Sequence, residues 1–429
     1  MILRAQGNTA HTFKGKTGQK MTSNAKEAVE FLKRPEAGRW LLRLSRLPVT
    51  AKKRPQPGWR TYLVSLYQDQ ILHMSRMAEQ EQWLLQSWDL PSYESVSLPS
   101  QDPEVNLVKT LAARSLYASG IDAGQVLIYA VSAHRAKVVQ VIPDWPVELA
   151  DQYMQLASEW WEKRQSMHPQ RLLKLGADPE FALRKEDGSM ALASDYLRIA
   201  GIVGCDTTRY REELAMHQHP VAELRPEPVE DPEDLFAHIW DALKLANQKM
   251  NNPQLEWLAG GMPFPGYPIG GHIHFSGITP TFSLRRKLDA YLALPLVLIE
   301  DQSCQQRRER YGFLGDVREK TYGFEYRTMP SWLVHPTVTR GVLHLSRLIA
   351  NNHSLLQAAP HLQPALIKAY YRGEKLVLKP YVETIWRELR QMPGYQLSQF
   401  HLDRYFTILL SGQTWPAQDN LRKAWNLLG

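Results

Sequence analysis

The chain has 429 residues, 44% hydrophobic and 22% charged, an ordinary globular composition with length enough for two or three domains. Its two cysteines, Cys205 and Cys304, exclude a disulfide framework; no apolar run spans a bilayer and none near the start resembles a secretory signal, so a reducing, cytoplasmic setting is expected. The net charge of +7 is uneven, because residues 1–60 carry fourteen Lys or Arg against three acids, +11, which leaves −4 (7 − 11) for the remainder.

That basic end could grip nucleic acid, an anionic membrane surface or an acidic protein, or form a solvated face. An acidic protein partner is the reading carried forward, and nucleic acid is not expected. Asn24–Arg34 reads as a helix, and the proline- and charge-rich Ala51–Arg60 as a loop. Strand patterns follow at Thr61–Gln68, Gln70–Ala78 and Gln82–Trp88. Pro103–Gly120 is a helix stopped by glycine, and Gln125–Ser132 and Ala136–Pro143 are two more strands. Residues 1–146 therefore form a small α+β domain without a chemical motif. Residues 147–170 hold an amphipathic connecting helix, with Trp160 and Trp161 as core at the junction.

Residues 171–335 mix short strands with helices. Asp231–Asn252 is a helix with acids in its first turn, and the apolar Tyr291–Ile299 reads as another, buried. From 336 to 429 the pattern is wholly helical: Thr337–Gln357, Pro364–Arg372, Tyr381–Met392 and Ser398–Gly412. These helices should cover the sheet.

Four short stretches in the third block share a feature. Side chains on a strand alternate faces. In LGADPEFAL, Asp178 and Glu180 share one face; in VAELRPEP, Glu223 and Arg225 do; in GGHIHFSG, His272, His274 and Ser276; in YGFEYRTMP, Glu325 and Arg327. An exposed sheet face usually carries Lys, Thr, Gln and Ser, whereas these polar sets are acids, His and Arg, flanked by glycines. On one sheet, so many carboxylates repel unless a cation sits among them, and oxygen ligands with an added imidazole suit Mg²⁺ or Mn²⁺. Arginines on the same face point to a polyanion, most simply nucleotide phosphates, and so to phosphoryl transfer. Arg307, Arg308, Arg310, Arg318 and Lys320 crowd around a glycine-bearing turn just before the last strand. Arg307 and Arg308 could equally belong to a solvated basic loop. There is no GxxxxGK[ST], GxGxxG, CxxC or GxSxG. His217 and His219, in AMHQHP, read as a polar loop.

Taken in order, GADPEF, AELRP, GGHIHFS and GFEYRTMPS resemble the COOH–NH2 ligase (amidoligase) group of the glutamine synthetase and glutamate–cysteine ligase superfamily, most of all its phage-type members. The likeness runs from about Leu172 to Trp332 and leaves the first block out. It implies an α+β fold with a curved, mainly antiparallel sheet of glutamine-synthetase type, packed helices, and a face that binds ATP with two or three Mg²⁺. It implies an ATP-dependent ligase forming an amide through an acyl phosphate. By motif position, Asp178, His272 and Glu325 would hold one metal, and Glu180 and Glu223 a second. Arg327 and Arg318 would neutralise the phosphoryl oxygens, with His274 beside them. Arg310, Lys320 and Ser276 would face the ATP phosphates, and Arg225 and Asp206 the substrate, Arg225 alternatively bracing Glu223. Glu213 or Asp206 could complete the second metal's ligands. Carboxylate and amine substrates, as amino acid, peptide or protein, are the implied partners. The rivals are a metal-dependent phosphohydrolase, a guanidine kinase, and a non-catalytic protein binding through its basic first block.

Overall fold

The computed structural model describes residues 24–77, 93–166, 172–206, 214–215 and 217–428. The first 23 residues of the basic block, the strand expected at Gln82–Trp88, and Glu213 lie outside them. The chain forms two compact units, Met1–Met167 with His361–Ile367, and His168–Pro360 with Lys368–Gly429.

The first unit carries a five-stranded antiparallel sheet of β1 (Arg60–Tyr67), β2 (Gln70–Met77), β3 (Tyr93–Ser95), β4 (Ala123–Ser132) and β5 (Arg135–Ile142), ordered β3-β2-β1-β4-β5. The helix Pro103–Ala118 starts where its composition asks: Pro103 fills the first turn, and the Asp102 carboxylate accepts the Glu104 N–H at 2.8 Å. Buried Glu104 in turn takes the guanidinium of Arg60 and the Tyr62 hydroxyl at 2.7 Å. Tyr153 and Ala157 of the helix Ala150–Ser166 pack on Tyr67, Leu72 and Ala123, with Trp160 and Trp161 against the same cluster. The segment expected to connect thus contributes to this unit's core. In the described part of the basic block, Lys52, Lys53 and Arg54 are exposed.

The second unit holds β6 (Lys174–Arg184), β7 (Met190–Ala191), β8 (Val203–Cys205), β9 (Val221–Leu224), β10 (Glu256–Leu258), β11 (Gly271–Ser276), β12 (Val317–Lys320) and β13 (Gly323–Tyr326). Their order is β12-β13-β11-β6-β9-β8, with β7 and β10 also on β6, and every pairing is antiparallel. The four strands with acids, His and Arg on one face are therefore consecutive neighbours, β13-β11-β6-β9. Their other face is core: Ala177, Phe181, Ala222, Leu224, Ile273, Phe275, Phe324 and Tyr326 are all buried. Phe275 lies opposite Phe324 with ring centroids 4.9 Å apart. Each buried ring contributes about 2–3 kcal/mol by leaving water, so the alternation that gathers the polar set on one face also anchors the sheet.

Two stretches depart from the sequence reading. Tyr291–Ile299 is not one regular helix: a π-turn at Asp289–Ala293 passes into Leu294–Leu296, all buried. Pro295 has no N–H to give the carbonyl four residues back, which favours the wider turn. The basic stretch before the last strand is no solvated loop; Val317–Lys320 forms a hairpin with β13, and Arg307 and Arg308 are buried. The C-terminal helices are Pro336–Asn352, Pro364–Arg372, Lys375–Leu389 and Tyr395–Leu410. Among the described residues, no helix is long and apolar enough to cross a membrane.

Candidate active site

Register brings the polar residues into contact. His272 stands opposite Asp178 on β6, His274 opposite Glu325 on β13, and Arg318 opposite Glu325 from the other side. Residues directly opposite on one sheet face have Cβ atoms about 5 Å apart, so these side chains must meet. His272 Nδ1 lies 3.0 Å from Asp178 Oδ1 and 3.4 Å from Glu325 Oε1, and His274 Nε2 lies 3.1 Å from Asp178 Oδ2. The distances are short, yet among the described residues Asp178 Oδ1, His272 Nδ1 and His274 Nε2 are buried without a hydrogen bond of acceptable geometry. Donor atoms that converge without bonding one another are what a cation would bridge, and one atom from each of Asp178, His272 and Glu325 falls within a common 4.8 Å. Burial pushes the Asp178 carboxyl up, but the imidazoles of His272 and His274 outweigh it and hold it well below the usual carboxylate range.

The glycines ahead of these histidines have a steric reason. A Cβ on Gly270 would overlap the His272 ring, and one on Gly271 would overlap the indole of Trp332, whose Nε1–H donates to the Gly271 carbonyl at 2.8 Å. Tyr322, from the turn before β13, went unnoticed in the sequence. Its hydroxyl shares a 2.7 Å hydrogen bond with His274 Nδ1 and its ring stacks on the imidazole, fixing which ring nitrogen faces Asp178.

One strand over, Glu180 lies opposite Glu223. Glu180 is buried and accepts the Gly270 N–H at 2.7 Å. Burial and the charges of Asp206, Glu223 and Asp178 raise its pKa well above the carboxylate range. Glu223 is raised to about 8 by burial and by Asp178, against the pull of Arg225. Arg225 pairs with Glu223 and also donates to the carbonyls of Ile199 at 2.8 Å and Cys205 at 3.0 Å. Its guanidinium is engaged by its own chain, in the bracing position.

Around Glu325, which is 1% exposed, stand three cations: Arg327 in direct ion pairing, Arg318 at 3.4 Å and Lys320 at 3.4 Å. Arg327 is half-buried; burial lowers its pKa, but Glu325 and Asp316 raise it further, so it stays charged. Arg310 is exposed, and nothing among the described residues joins it to this cluster. Ser276 sits further along β11, its hydroxyl toward the Lys174 carbonyl at 3.4 Å. A cavity beside the site is lined by Glu180, Asp206, Gly270, His272, Arg307, Asp316 and Arg327.

A second three-donor group, Glu233, His344 and His401, lies on helices of the same unit. Arg340 Nε stands 3.1 Å from both Glu233 oxygens and His344 Nε2 lies 3.0 Å from one. That carboxylate is already held by the guanidinium of Arg340. His217 and His219 line a separate open pocket with Cys205 and Arg198.

No curated protein matches the chain. Among solved structures, a bifunctional glutathione synthetase from Pasteurella multocida is similar at 12% identity and a TM-score of 0.37, over 62% of this chain and 52% of that one. The chain thus spans about half the length of that protein. Residues 175–427 match the family described as phage phiEco32-like COOH.NH2 ligase-type 2. That span takes in all four polar-faced strands and the helices behind them, and the chain belongs to this family of COOH–NH2 ligases.

Proposed function

We propose that this protein is an ATP-dependent ligase that joins a carboxylate to an amine through an acyl phosphate, on a sheet of glutamine-synthetase type. The observation that carries the reading is the meeting of Asp178, His272, His274 and Glu325 on one sheet face, with buried donor atoms that converge unbonded. In this reading Asp178, His272 and Glu325 hold one divalent ion, and Glu180 and Glu223, beside Asp206, hold a second. Oxygen-rich sets with one imidazole suit Mg²⁺ or Mn²⁺. Such ions, when bound, screen the triphosphate and stabilise charge on the transferred oxygens.

The chain's own residues supply the rest. Arg327 and Arg318 face the same carboxylate from adjacent strands and neutralise the phosphoryl oxygens as charge spreads over them. In the same reading Lys320, beside Glu325, meets the ATP phosphates, Arg310 and Ser276 join it only from outside the cluster, and His274, held by Tyr322, stands beside the transferred group. Arg225 keeps Glu223 in place. A substrate carboxylate oxygen attacks the γ-phosphorus, the bond to the β–γ bridging oxygen breaks, and ADP leaves with that electron pair. The amine nitrogen then attacks the acyl carbon, phosphate leaves, and the nitrogen gives up one proton.

The test is incubation with ATP, Mg²⁺ and pooled amino acids and short peptides. ADP should accumulate only when carboxylate and amine are both present, with a product whose mass is their sum less one water. Phosphate released without an amine acceptor would instead make the protein a phosphohydrolase, and a phosphoguanidine product would make it a kinase.

A further inference from the structure

Arg307 and Arg308 end one short helix, Ser303–Arg307 and its cap, and both are buried, at 4% and 3% exposure. Their surroundings are opposite. Arg308 is ion-paired with buried Glu300 and lies over the ring of Tyr370, 4.2 Å from its centroid. Among the described residues, Arg307 has no carboxylate within ion-pair distance. Its Nη1 donates to the Thr328 carbonyl at 3.0 Å and its Nη2 to the Arg327 carbonyl at 3.3 Å, while its Nε has no partner.

A guanidinium out of water with no carboxylate in contact is costly, even with the charges of Glu180 and Asp316 nearby, and the fold makes room for it. A Cβ on Gly312 would overlap Arg307 Nη1, and Gly312 has φ +70°, a backbone conformation glycine adopts freely. The loop therefore leaves room for the guanidinium. The group lines the cavity that also holds Glu180, Asp206, His272, Asp316 and Arg327, and there it stands with Arg327 as one of two guanidiniums among carboxylates.

We infer that Arg307 is the oxyanion receptor of this cavity: its guanidinium, held by two carbonyls and in contact with no carboxylate, takes the substrate carboxylate or the phosphoryl group that arrives on it. The planar fork of Arg suits both, by paired charge-assisted hydrogen bonds. The inference rests on the ligase reading above and deepens it, placing the reacting oxyanion between the Asp178 and Glu180 groups.

The experiment measures thermal shifts and calorimetric binding of the whole chain in Mg²⁺, with inorganic phosphate in one arm and succinate in the other. Wild type should be stabilised by at least one anion. Phosphate alone assigns the receptor to the transferred group, succinate alone to the substrate carboxylate. Arg307→Gln should bind that anion at least tenfold more weakly, with an unchanged far-ultraviolet spectrum. Arg307→Lys, which keeps charge but loses the fork, should also bind at least tenfold more weakly, and decides the matter if the glutamine variant does not fold. Anion affinity equal to wild type in the variants, or no anion response in a wild type that still responds to Mg²⁺, would overturn the inference alone. A wild type that responds to no divalent cation would instead sink the ligase reading beneath it.

Discussion

Glu223→Gln tests the electrostatics of the sheet face most sharply. In the folded protein the Glu223 carboxyl is raised from an ordinary 4.5 to about 8, chiefly by burial and by Asp178. Between pH 5 and pH 8 the native state therefore holds a proton that the unfolded chain has released. Stability changes with pH in proportion to protons bound unfolded minus protons bound native, which here is negative, so stability falls as pH rises. One retained proton corresponds to about 1.4 kcal/mol per pH unit, or about 4 kcal/mol across those three units. The effect is absent below about pH 4.5 and complete near pH 8. Asp178 does not enter this window, since its carboxyl is held low and is ionised in both states throughout. Glutamine keeps an acceptor for Arg225 and removes the titration. Urea unfolding followed by tryptophan emission, in chelator at pH 5, 6, 7 and 8, should show the variant's stability falling less steeply than wild type by about 1.4 kcal/mol per unit. Saturating Mn²⁺ should flatten the wild-type slope in the same way, because the cation replaces the proton. Parallel slopes for variant and wild type in chelator would refute the reasoning.

Other outcomes follow from the same geometry. His272→Ala and Glu325→Ala should each lower ligase turnover by at least ~10²–10³-fold while the calorimetric transition persists; full activity in both would remove the site assignment. Tyr322→Phe loses the 2.7 Å bond to His274 Nδ1 and should weaken Mn²⁺ binding or turnover about 10–100-fold, as titration calorimetry and steady-state rates would register. Gly271→Ala drives a methyl into Trp332 and should destabilise the second unit by roughly 1–3 kcal/mol, seen as a lower urea midpoint.

The sequence disclosed the faces of strands better than their neighbours. Period-two alternation put Asp178 with Glu180, and His272 with His274, on one side because the other side had to be apolar, and Phe181, Ile273 and Phe275 are buried there. Which strand lies beside which is decided by long-range pairing, such as His272 with Asp178 and His274 with Glu325, and local pattern carries no trace of it. The shared family motifs supplied that link. Arginines were the least legible. Arg307 and Arg308 are adjacent identical letters, yet one meets Glu300 and the other meets only carbonyls. Arg225 is occupied by Glu223 and by the carbonyls of Ile199 and Cys205, contacts that no spacing rule announces. Tyr322 escaped notice because one hydroxyl ahead of a strand looks like any turn residue until its ring is seen on His274.

The central claim is that a carboxylate is activated by taking the γ-phosphoryl group of ATP. A carboxylate that supports turnover, labelled with ¹⁸O in both oxygens, tests it directly when the released phosphate is analysed by mass spectrometry. ADP should be the nucleotide product, and each phosphate formed should carry one ¹⁸O atom. Label found in AMP with pyrophosphate released, or phosphate carrying no label, would contradict it.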